Sequence, residues 1–567
     1  MKEFIYYNSN EIDFPLSENI LVTKKLIDHN NSNFIVSNTH MINTELVADE
    51  IDFYINNTKD PISKKIKNVE KLYEINAMRF DLAKDMIFSE SISNKVLLVC
   101  NDEQKTEILK SMIKDEFDLF HINEEIIKNI KGHIGNLTVV INDKEKDIDL
   151  NVDQIIWFNQ KGEGTKQSGC FDPLESSIDD VLAMVRSNIT NYEYKKFTNY
   201  DKTICQYHER REEICGKCAE VCPTVAIVKD DEHKHLEFSQ IDCHGCGGCV
   251  SVCPSGAIDY APSNRESISQ MSTFYENQIP LIIPHKMKIS SLDVELKENI
   301  LPFKIEGEKF LHEATLLTLL QESGSQIIFF TDFLSKGTKD SISILNQIYQ
   351  AKYKKDAILL AMNEDELSAA LKEVDFIENS KYKLNNMEMR KRELFAIRLS
   401  HIVGNDDLGL VHTGENIHYG HVKVNESNCT LCLSCVGACN VNALIADTSD
   451  NTLRLNPSLC TSCGYCEVSC PEFDCLTIEQ DVIELNPSWF QEEILAQDEL
   501  FACVECGVEF ATKKAVDKIA SLLSSQFKSD PVKERTLYCC ESCKPKIMMQ
   551  SYMSDNTSYN NKQGVTL

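Results

Sequence analysis

Long apolar runs are missing from this chain. Its strongest ones, VLLV at 96–99 and LIIP at 281–284, fall far short of the ~18 residues a membrane-crossing helix needs. The opening MKEFIYYNSNEIDFP lacks the apolar stretch of a secretory leader, so a cytoplasmic protein with no membrane insertion is expected. Cationic charge is scarce as well. Against 88 Asp and Glu stand 58 Lys and Arg, a formal charge of −30, which argues against a nucleic-acid partner or an anionic membrane surface. Catalytic signatures are also missing: no G-x-G-x-x-G opens a helix, and there is no H-E-x-x-H, G-x-S-x-G or C-x3-C-x2-C run. The glycine-rich KGEGTKQSGC at 161–170 lacks the G-x4-G-K-[ST] order of a phosphate cradle and reads as a surface loop.

What remains is a chain of 567 residues, 42% hydrophobic and 26% charged, an ordinary globular composition long enough for three or four domains. Its distinguishing feature is 24 cysteines. Sixteen lie in two blocks, 205–253 and 429–470, and five lie between 503 and 543, leaving only Cys100, Cys170 and Cys475 outside. Cysteines gathered in short repeats, in a long chain without an export signal, point to metal ligation rather than disulfides.

Three runs share one spacing, C-x2-C-x2-C-x3-C. They are Cys243, Cys246, Cys249 and Cys253; Cys429, Cys432, Cys435 and Cys439; and Cys460, Cys463, Cys466 and Cys470. Proline follows the first and third runs, and Asn440 follows the second. Thiolates two residues apart let a tight loop wrap three corners of a cubane, and the x3 step carries the fourth sulfur away on a helical turn. Four-cysteine zinc sites also use C-x2-C knuckles, but they seldom string four cysteines into one run. The fourth block has Cys215, Cys218 and Cys222 in place but Glu212 at the first position. The intact runs carry apolar residues seven and five positions before the first cysteine: Leu236 and Phe238, Val422 and Val424, Leu453 and Leu455. Tyr200 stands five before Cys205, so Cys205 takes the first slot with seven residues inserted after it, in preference to His208 within the insertion.

From Cys222 to Cys243 and from Cys439 to Cys460 there are 20 intervening residues, so each block reads as a two-fold repeat of strand, loop, helix and strand. The spacing resembles that of bacterial two-cluster ferredoxins, whose fourth cysteine serves the other cluster of a pair. That resemblance implies four [4Fe–4S] clusters with crossed ligand sets. Cys205, Cys215 and Cys218 would join Cys253, and Cys243, Cys246 and Cys249 would join Cys222. Likewise Cys429, Cys432 and Cys435 would join Cys470, and Cys460, Cys463 and Cys466 would join Cys439. Cys475 sits near the position of Ala257 in the repeat and reads as a small core residue.

At the C-terminal end, Cys503 and Cys506 with Gly507, then Cys540 and Cys543, form two C-x2-C pairs with 33 residues between. Val516, Ile519, Leu523 and Phe527 recur there at helical spacing. Two knuckles and a helix resemble a zinc-ribbon or treble-clef unit holding one structural zinc. A fifth cluster is the alternative, and Cys539 is a spare that could replace Cys540.

The metal-free stretches alternate strand and helix patterns. VLLVC, LTVVI and QIIWF mark 1–195 as α/β. PLIIP, ILPFKI, QIIFFT and DAILLAM, separated by helical stretches, mark 265–384 as a flavodoxin-like parallel sheet. The expected fold class is therefore α+β multidomain. Its parts are an α/β domain (1–195), a di-cluster module (196–264), the flavodoxin-like domain (265–384), a linker (385–420), a second di-cluster module (421–485), a zinc-ribbon-like unit (486–550) and a disordered tail (551–567). His401, His412, His418 and His421, without knuckle spacing, read as solvated side chains.

This order of parts, with CQYHERREEICGKCAEVCP, CHGCGGCVSVCP and FACVECGVEF, resembles the large cytoplasmic 4Fe–4S proteins found beside molybdenum formate dehydrogenases in proteobacteria. The middle α/β region is loosely similar to the small iron–sulfur subunits of heterodisulfide-reductase-type complexes. The resemblance implies a polyferredoxin that relays electrons to or from a dehydrogenase-type redox partner such as a formate dehydrogenase. An oxidoreductase subunit with its own flavin or substrate site in 265–384 is the competing expectation, and a cluster-dependent sensor is a third.

Overall fold

The computed structural model describes residues 3–8, 12–25, 34–113, 116–143, 146–159, 166–384, 389–527 and 530–562. The first half of the glycine-rich 161–170 stretch and the last residues of the expected tail, 563–567, lie outside them. The chain forms two units, Met1–Ile402 with Gly414–Ile417, and Val403–Thr413 with His418–Leu567. No helix among the described residues is long and apolar enough to cross a membrane.

The first unit contains three all-parallel four-stranded sheets beside smaller antiparallel ones. Strands Phe4–Tyr7, Ile20–Thr23, Val36–Ser37 and Leu46–Val47 make one. Strands Lys95–Val99, Asp118–Ile122, Gln154–Trp157 and Cys170–Phe171 make another, with an antiparallel meander over Ile127–Val152 beside it. Residues 1–195, read from sequence as one α/β domain, thus hold two separate parallel sheets. Two-residue strands such as Val36–Ser37 are too short to show any apolar alternation, which hid the first sheet. That sheet's following segment joins the third sheet's region: Lys59 N–H donates to the Leu296 carbonyl (3.0 Å), and the helix Ile62–Leu82 sends buried Arg79 toward the Lys304 carbonyl (3.4 Å).

The third sheet has the strand order Ile300–Ile305, Ile279–Pro284, Ile327–Phe330, Ile358–Ala361, all parallel. In chain order this is 2-1-3-4, the start of the flavodoxin-like order. Every residue of IPLIIP and ILPFKI is buried, as a sheet covered on both faces requires. Ser335 and Asn363 cap their helices through N–H groups three residues on, and Gly324 (φ 67°) ends the fully buried helix Glu313–Ser323 in the left-handed region. In such sheets a ligand usually sits outside the carboxyl ends of the strands. Here the loops at that end meet protein instead. Lys309 N–H donates to the Cys246 carbonyl (2.9 Å), and Gly337 packs so closely on Ser251 that a Cβ would lie 2.6 Å from its hydroxyl.

The stretch assigned from sequence as a linker contains the helix Lys391–Val403, packed into the first unit. Leu394, Phe395, Leu399 and Ile402 are its buried apolar stripe. Their signal was masked by the charged residues interleaved with them, which are themselves buried in ion pairs. Lys391 meets Glu313 (3.2 Å) and Arg398 meets Glu322 (2.9 Å), all four with side chains at most 3% exposed.

The second unit holds antiparallel pairs Leu410–His412 with Val482–Glu484 and Gly420–Val424 with Leu476–Gln480. Strands Leu444–Asp447, Thr452–Leu455 and Glu493–Gln497 form a three-stranded sheet, so the last of these, beyond the expected module boundary at 485, completes the module's sheet. The C-terminal part is a hairpin, Leu500–Ala502 with Glu509–Thr512, then helices Lys513–Phe527, Pro531–Thr536 and Cys543–Lys562. The last helix runs through residues 551–562, where a disordered tail was expected.

The buried Arg398–Glu322 pair gives a direct test of the helix 391–403. Arg398→Ala strands a buried carboxylate and should cost about 3–5 kcal/mol in anaerobic urea unfolding, whereas Arg398→Met with Glu322→Leu should recover most of that loss.

Candidate metal centres

In the first unit, Thr198–Tyr200 pairs with Ile258–Tyr260 and Ile227–Asp230 pairs with His235–Phe238. Between these strands run two cysteine loops, each followed by a short helix, Lys217–Glu220 and Gly248–Val252. The second unit repeats the plan with helices Ser434–Ala438 and Tyr465–Val468. The loops need left-handed backbone at fixed places. One follows the second cysteine, where Gly247, Leu433 and Gly464 are left-handed and Gly216 takes a wider positive φ of 157°. Another lies two residues after the first cysteine: Gly245, Leu431 and Ser462. Such turns aim backbone N–H groups at sulfur, as Ser462 N–H does toward Cys460 Sγ (3.4 Å).

Tyr207 N–H makes the same contact with Cys205 Sγ at 3.4 Å, so Cys205 stands in the first slot of its loop. His208 turns away from the cysteines to His235, with Nδ1 atoms 3.0 Å apart. Cys205 also lies among the cysteines that surround Cys218. Burial pushes the Cys218 thiol well up, and Cys253, Cys215, Cys249 and Cys205 add to the rise. Burial likewise raises Cys249, with Cys243, Cys246, Cys222 and Cys253 as its neighbours. In the second unit, burial raises Cys435 to about 12, helped by Cys429, Cys432 and Cys470. Cys466 is raised by burial and by Cys460, Cys463, Cys439 and Cys435. Around Cys435 stand two cysteines of its own run and Cys470 of the other, and around Cys218, Cys249 and Cys466 both runs of the block contribute.

Two of these groups visibly enclose a hollow. Cys222 of one run lines the first hollow with Cys243, Cys246 and Cys249 of the other, and Cys470 lines the second with Cys429, Cys432 and Cys435. Thiols crowded and buried in this way stay protonated on their own, with Cys215 and Cys243 each pushed to about 11 chiefly by burial. Only a cationic core between the sulfurs turns such a set into thiolate ligands. Cys475 lines the second hollow and, beyond its expected core role, puts its thiol within hydrogen-bonding reach of Cys429 and Cys470. Cys100 is buried in the core of the second sheet.

The C-terminal cysteines meet differently. Gly507 (φ 72°) closes the knuckle, its N–H donating to the Cys503 carbonyl (2.8 Å). Cys543 begins the last helix, so one pair sits on a hairpin and the other at a helix start. The four sulfurs of Cys503, Cys506, Cys540 and Cys543 lie within 4.8 Å of one another, and Cys506 and Cys540 are 3.7 Å apart. Four thiolates at about 2.3 Å from one tetrahedral ion stand about 3.8 Å apart, whereas a cubane, one thiolate per iron, would spread them farther. Burial raises the Cys503 thiol, but N–H groups of Cys540, Glu505 and Cys506 outweigh it and bring it down to about 6, favouring the ligand form. Cys539 instead points its thiol at the Arg535 carbonyl (3.2 Å) and is fully buried.

The histidines of 401–421 are not simply solvated. His401 stacks on Tyr382 (4.2 Å between centroids), and His421 is held between the carboxylates of Glu484 (3.1 Å) and Glu493, beside Trp489. The partners of His421 lie more than sixty residues downstream, so no local pattern revealed them.

Comparison with known families places these loops. A model of the 4Fe-4S dicluster domain matches residues 213–257, and another model of a 4Fe-4S dicluster domain matches residues 421–471. The first match starts after Cys205, leaving the displaced first cysteine outside it. No curated protein matches the chain. The chain therefore contains two 4Fe-4S dicluster ferredoxin domains, which mark it as an iron–sulfur electron-transfer protein.

Proposed function

We propose that the chain is a polyferredoxin carrying four [4Fe–4S] clusters, two per dicluster domain. In this reading it relays single electrons in the cytoplasm to or from a dehydrogenase-type partner, such as the formate dehydrogenase that the resemblance of its cysteine blocks implies. What supports this reading is that one hollow in each domain is lined by three cysteines of one run and the fourth of its neighbour, Cys243, Cys246 and Cys249 with Cys222, and Cys429, Cys432 and Cys435 with Cys470. Each cluster supplies a one-electron carrier with a potential somewhere within about −700 to +450 mV. The chain's part is to hold the sulfurs, exclude water and aim N–H groups such as those of Tyr207 and Ser462 at them. At Cys503, Cys506, Cys540 and Cys543 the short sulfur–sulfur separation favours one structural zinc over a fifth cluster.

Exposure supports one port for exchange with the partner. Cys432 alone among the sixteen cluster cysteines is exposed. Around the same domain Phe473 is 86% exposed, with Leu433 and Val468 also open and the acidic Glu467 and Asp474 exposed beside them. An apolar contact rimmed by acid, on a chain of charge −30, suits a partner with a basic surface. The flavin alternative finds no support, because the carboxyl-end loops of the flavodoxin-like sheet are covered by Cys246 and Ser251 of the first dicluster domain.

Anaerobic metal analysis should find about sixteen irons and about one zinc per chain. Cys205→Ser should remove one cluster's EPR signal and leave the second domain's signals intact. Cys543→Ser should release the zinc without lowering iron content. A preparation free of iron would end the relay reading, and zinc retained by Cys543→Ser would end the assignment of that site.

Electron transfer to a basic partner protein, followed by stopped flow, should slow at least about tenfold as salt rises from about 0.05 to 0.5 M. Phe473→Ser should lower that rate at unchanged cluster potentials. A rate indifferent to both would place the port elsewhere.

A further inference from the structure

The first dicluster domain carries metal-ligating side chains that its cysteine sites do not use. The residues inserted after Cys205 fold back onto the tip of the hairpin formed by Ile227–Asp230 and His235–Phe238, where Glu209 N–H donates to the Lys234 carbonyl (2.9 Å). Glu209 (φ 54°) and Lys234 (φ 55°) are both left-handed although neither is glycine. Side chains resist that conformation, and it persists where surrounding contacts impose it. Its effect here is to set the residue before Glu209 against the residue after Lys234. His208 and His235 face each other with Nδ1 atoms 3.0 Å apart, and the Glu209 carboxylate lies 3.4 Å from Nε2 of His208.

One ligand atom from each of His208, Glu209 and His235 lies within 4.8 Å of the others. The imidazoles are half-buried and Glu209 is exposed, so an ion can enter from solvent. Two nitrogens bound to one zinc at about 2.0–2.1 Å stand roughly 2.9–3.4 Å apart for angles from a right angle to tetrahedral, which includes the observed separation. His235 is steadied from behind: His233 stacks on it in parallel (9° between planes) and is itself held by Asp230 (2.8 Å). Such outer partners orient metal-binding imidazoles.

We propose that His208, His235 and Glu209 form a solvent-open site for a borderline divalent ion, zinc foremost, that pins the insertion over Cys205. Two imidazoles and one carboxylate select zinc and its transition-metal neighbours over magnesium or calcium. Water completes the coordination, so binding is reversible, unlike at the closed four-cysteine site. The inserted segment also supplies Tyr207, whose N–H bonds Cys205, so the ion fastens the part of the chain that holds the displaced first cysteine. The inference does not depend on which partner the electrons serve.

The test uses anaerobic, iron-loaded full-length protein with its four-cysteine site filled, titrated with zinc chloride by calorimetry. Metal content after desalting and trypsin cleavage at Arg210 and Arg211 are the further readouts. Wild type should take up one more zinc, and that zinc should slow cleavage in the insertion. His208→Gln and His235→Gln should each weaken the added binding at least tenfold and abolish the protection, with iron unchanged, while His418→Gln in the other unit changes nothing. If His208→Gln disturbs Cys205, His235→Gln on the hairpin decides by the same readouts. No uptake beyond the four-cysteine site, or equal uptake by the His208→Gln, His235→Gln double variant, would overturn the proposal and leave the two imidazoles as a hydrogen-bonded pair.

Discussion

Bringing thiols from separate runs to one point, away from water, is the constraint on which both dicluster domains depend. A run of C-x2-C-x2-C can close three corners by itself, and a sulfur of the partner run stands beside it, Cys222 with Cys243, Cys246 and Cys249, and Cys470 with Cys429, Cys432 and Cys435. The antiparallel pairs Thr198–Tyr200 with Ile258–Tyr260 and Gly420–Val424 with Leu476–Gln480 join the first strand of each domain to the last, which closes this exchange. Burial there opposes the thiolate form and not the closure itself: it pushes the thiols up, Cys435 to about 12 and Cys215 to about 11. Folding of the loops and binding of a cationic core are thus linked, since the ligand form is stable only with the core present.

Each domain is fastened within its own unit by cations set on the backbone or carboxylates beside a ligand cysteine. In the first unit Lys391 donates to the carbonyl of Cys253 (3.1 Å) and Arg392 to that of Pro254 (2.7 Å), serving carbonyls at the end of a cluster helix. Helix C-termini favour such cations. In the second unit Lys518, on the helix after the cysteine knuckle, pairs with Glu472 next to Cys470, and Thr512 donates to the Thr430 carbonyl (2.8 Å). The flavodoxin-like sheet and the four-cysteine unit therefore act as braces. In the first case the end of the sheet that a ligand would use is taken up by the brace contact itself.

Much of this could be read from spacing alone. The repeat of apolar residues before each run pointed to Cys205, whose Sγ accepts from Tyr207 N–H as that of Cys460 accepts from Ser462 N–H. Strand and helix patterns in 265–384 marked a parallel sheet because its strands are fully apolar and its helices well capped. What escaped lies in long-range pairing. The helix Lys391–Val403 looked like a polar linker because Lys391, Arg392 and Arg398 are buried with partners far off in sequence, and a buried cation is indistinguishable from a solvated one in a string of letters. His421 and the His208–His235 pair escaped for the same reason. Cys475 read as a filler because its repeat position is apolar elsewhere, yet its thiol reaches two ligand cysteines.

The choice of residue at the strained turns carries information that the spacing does not. Every loop has a positive φ just after its second cysteine, met by glycine at Gly216, Gly247 and Gly464 but by a leucine at Leu433. At Gly247 a Cβ would lie 2.4 Å from that of Phe310, so the close approach of the neighbouring sheet's loop, more than the dihedral, excludes any side chain. Leu433 meets no such wall and stands partly in solvent next to exposed Cys432. Gly464 holds the same place with nothing within 4 Å of where a Cβ would stand, so glycine there answers the dihedral alone and reports no covering wall. Of these positions Gly247 is the one where a neighbouring backbone demands glycine, whereas Leu433 accepts the left-handed backbone beside exposed Cys432 and leaves that sulfur open to another molecule.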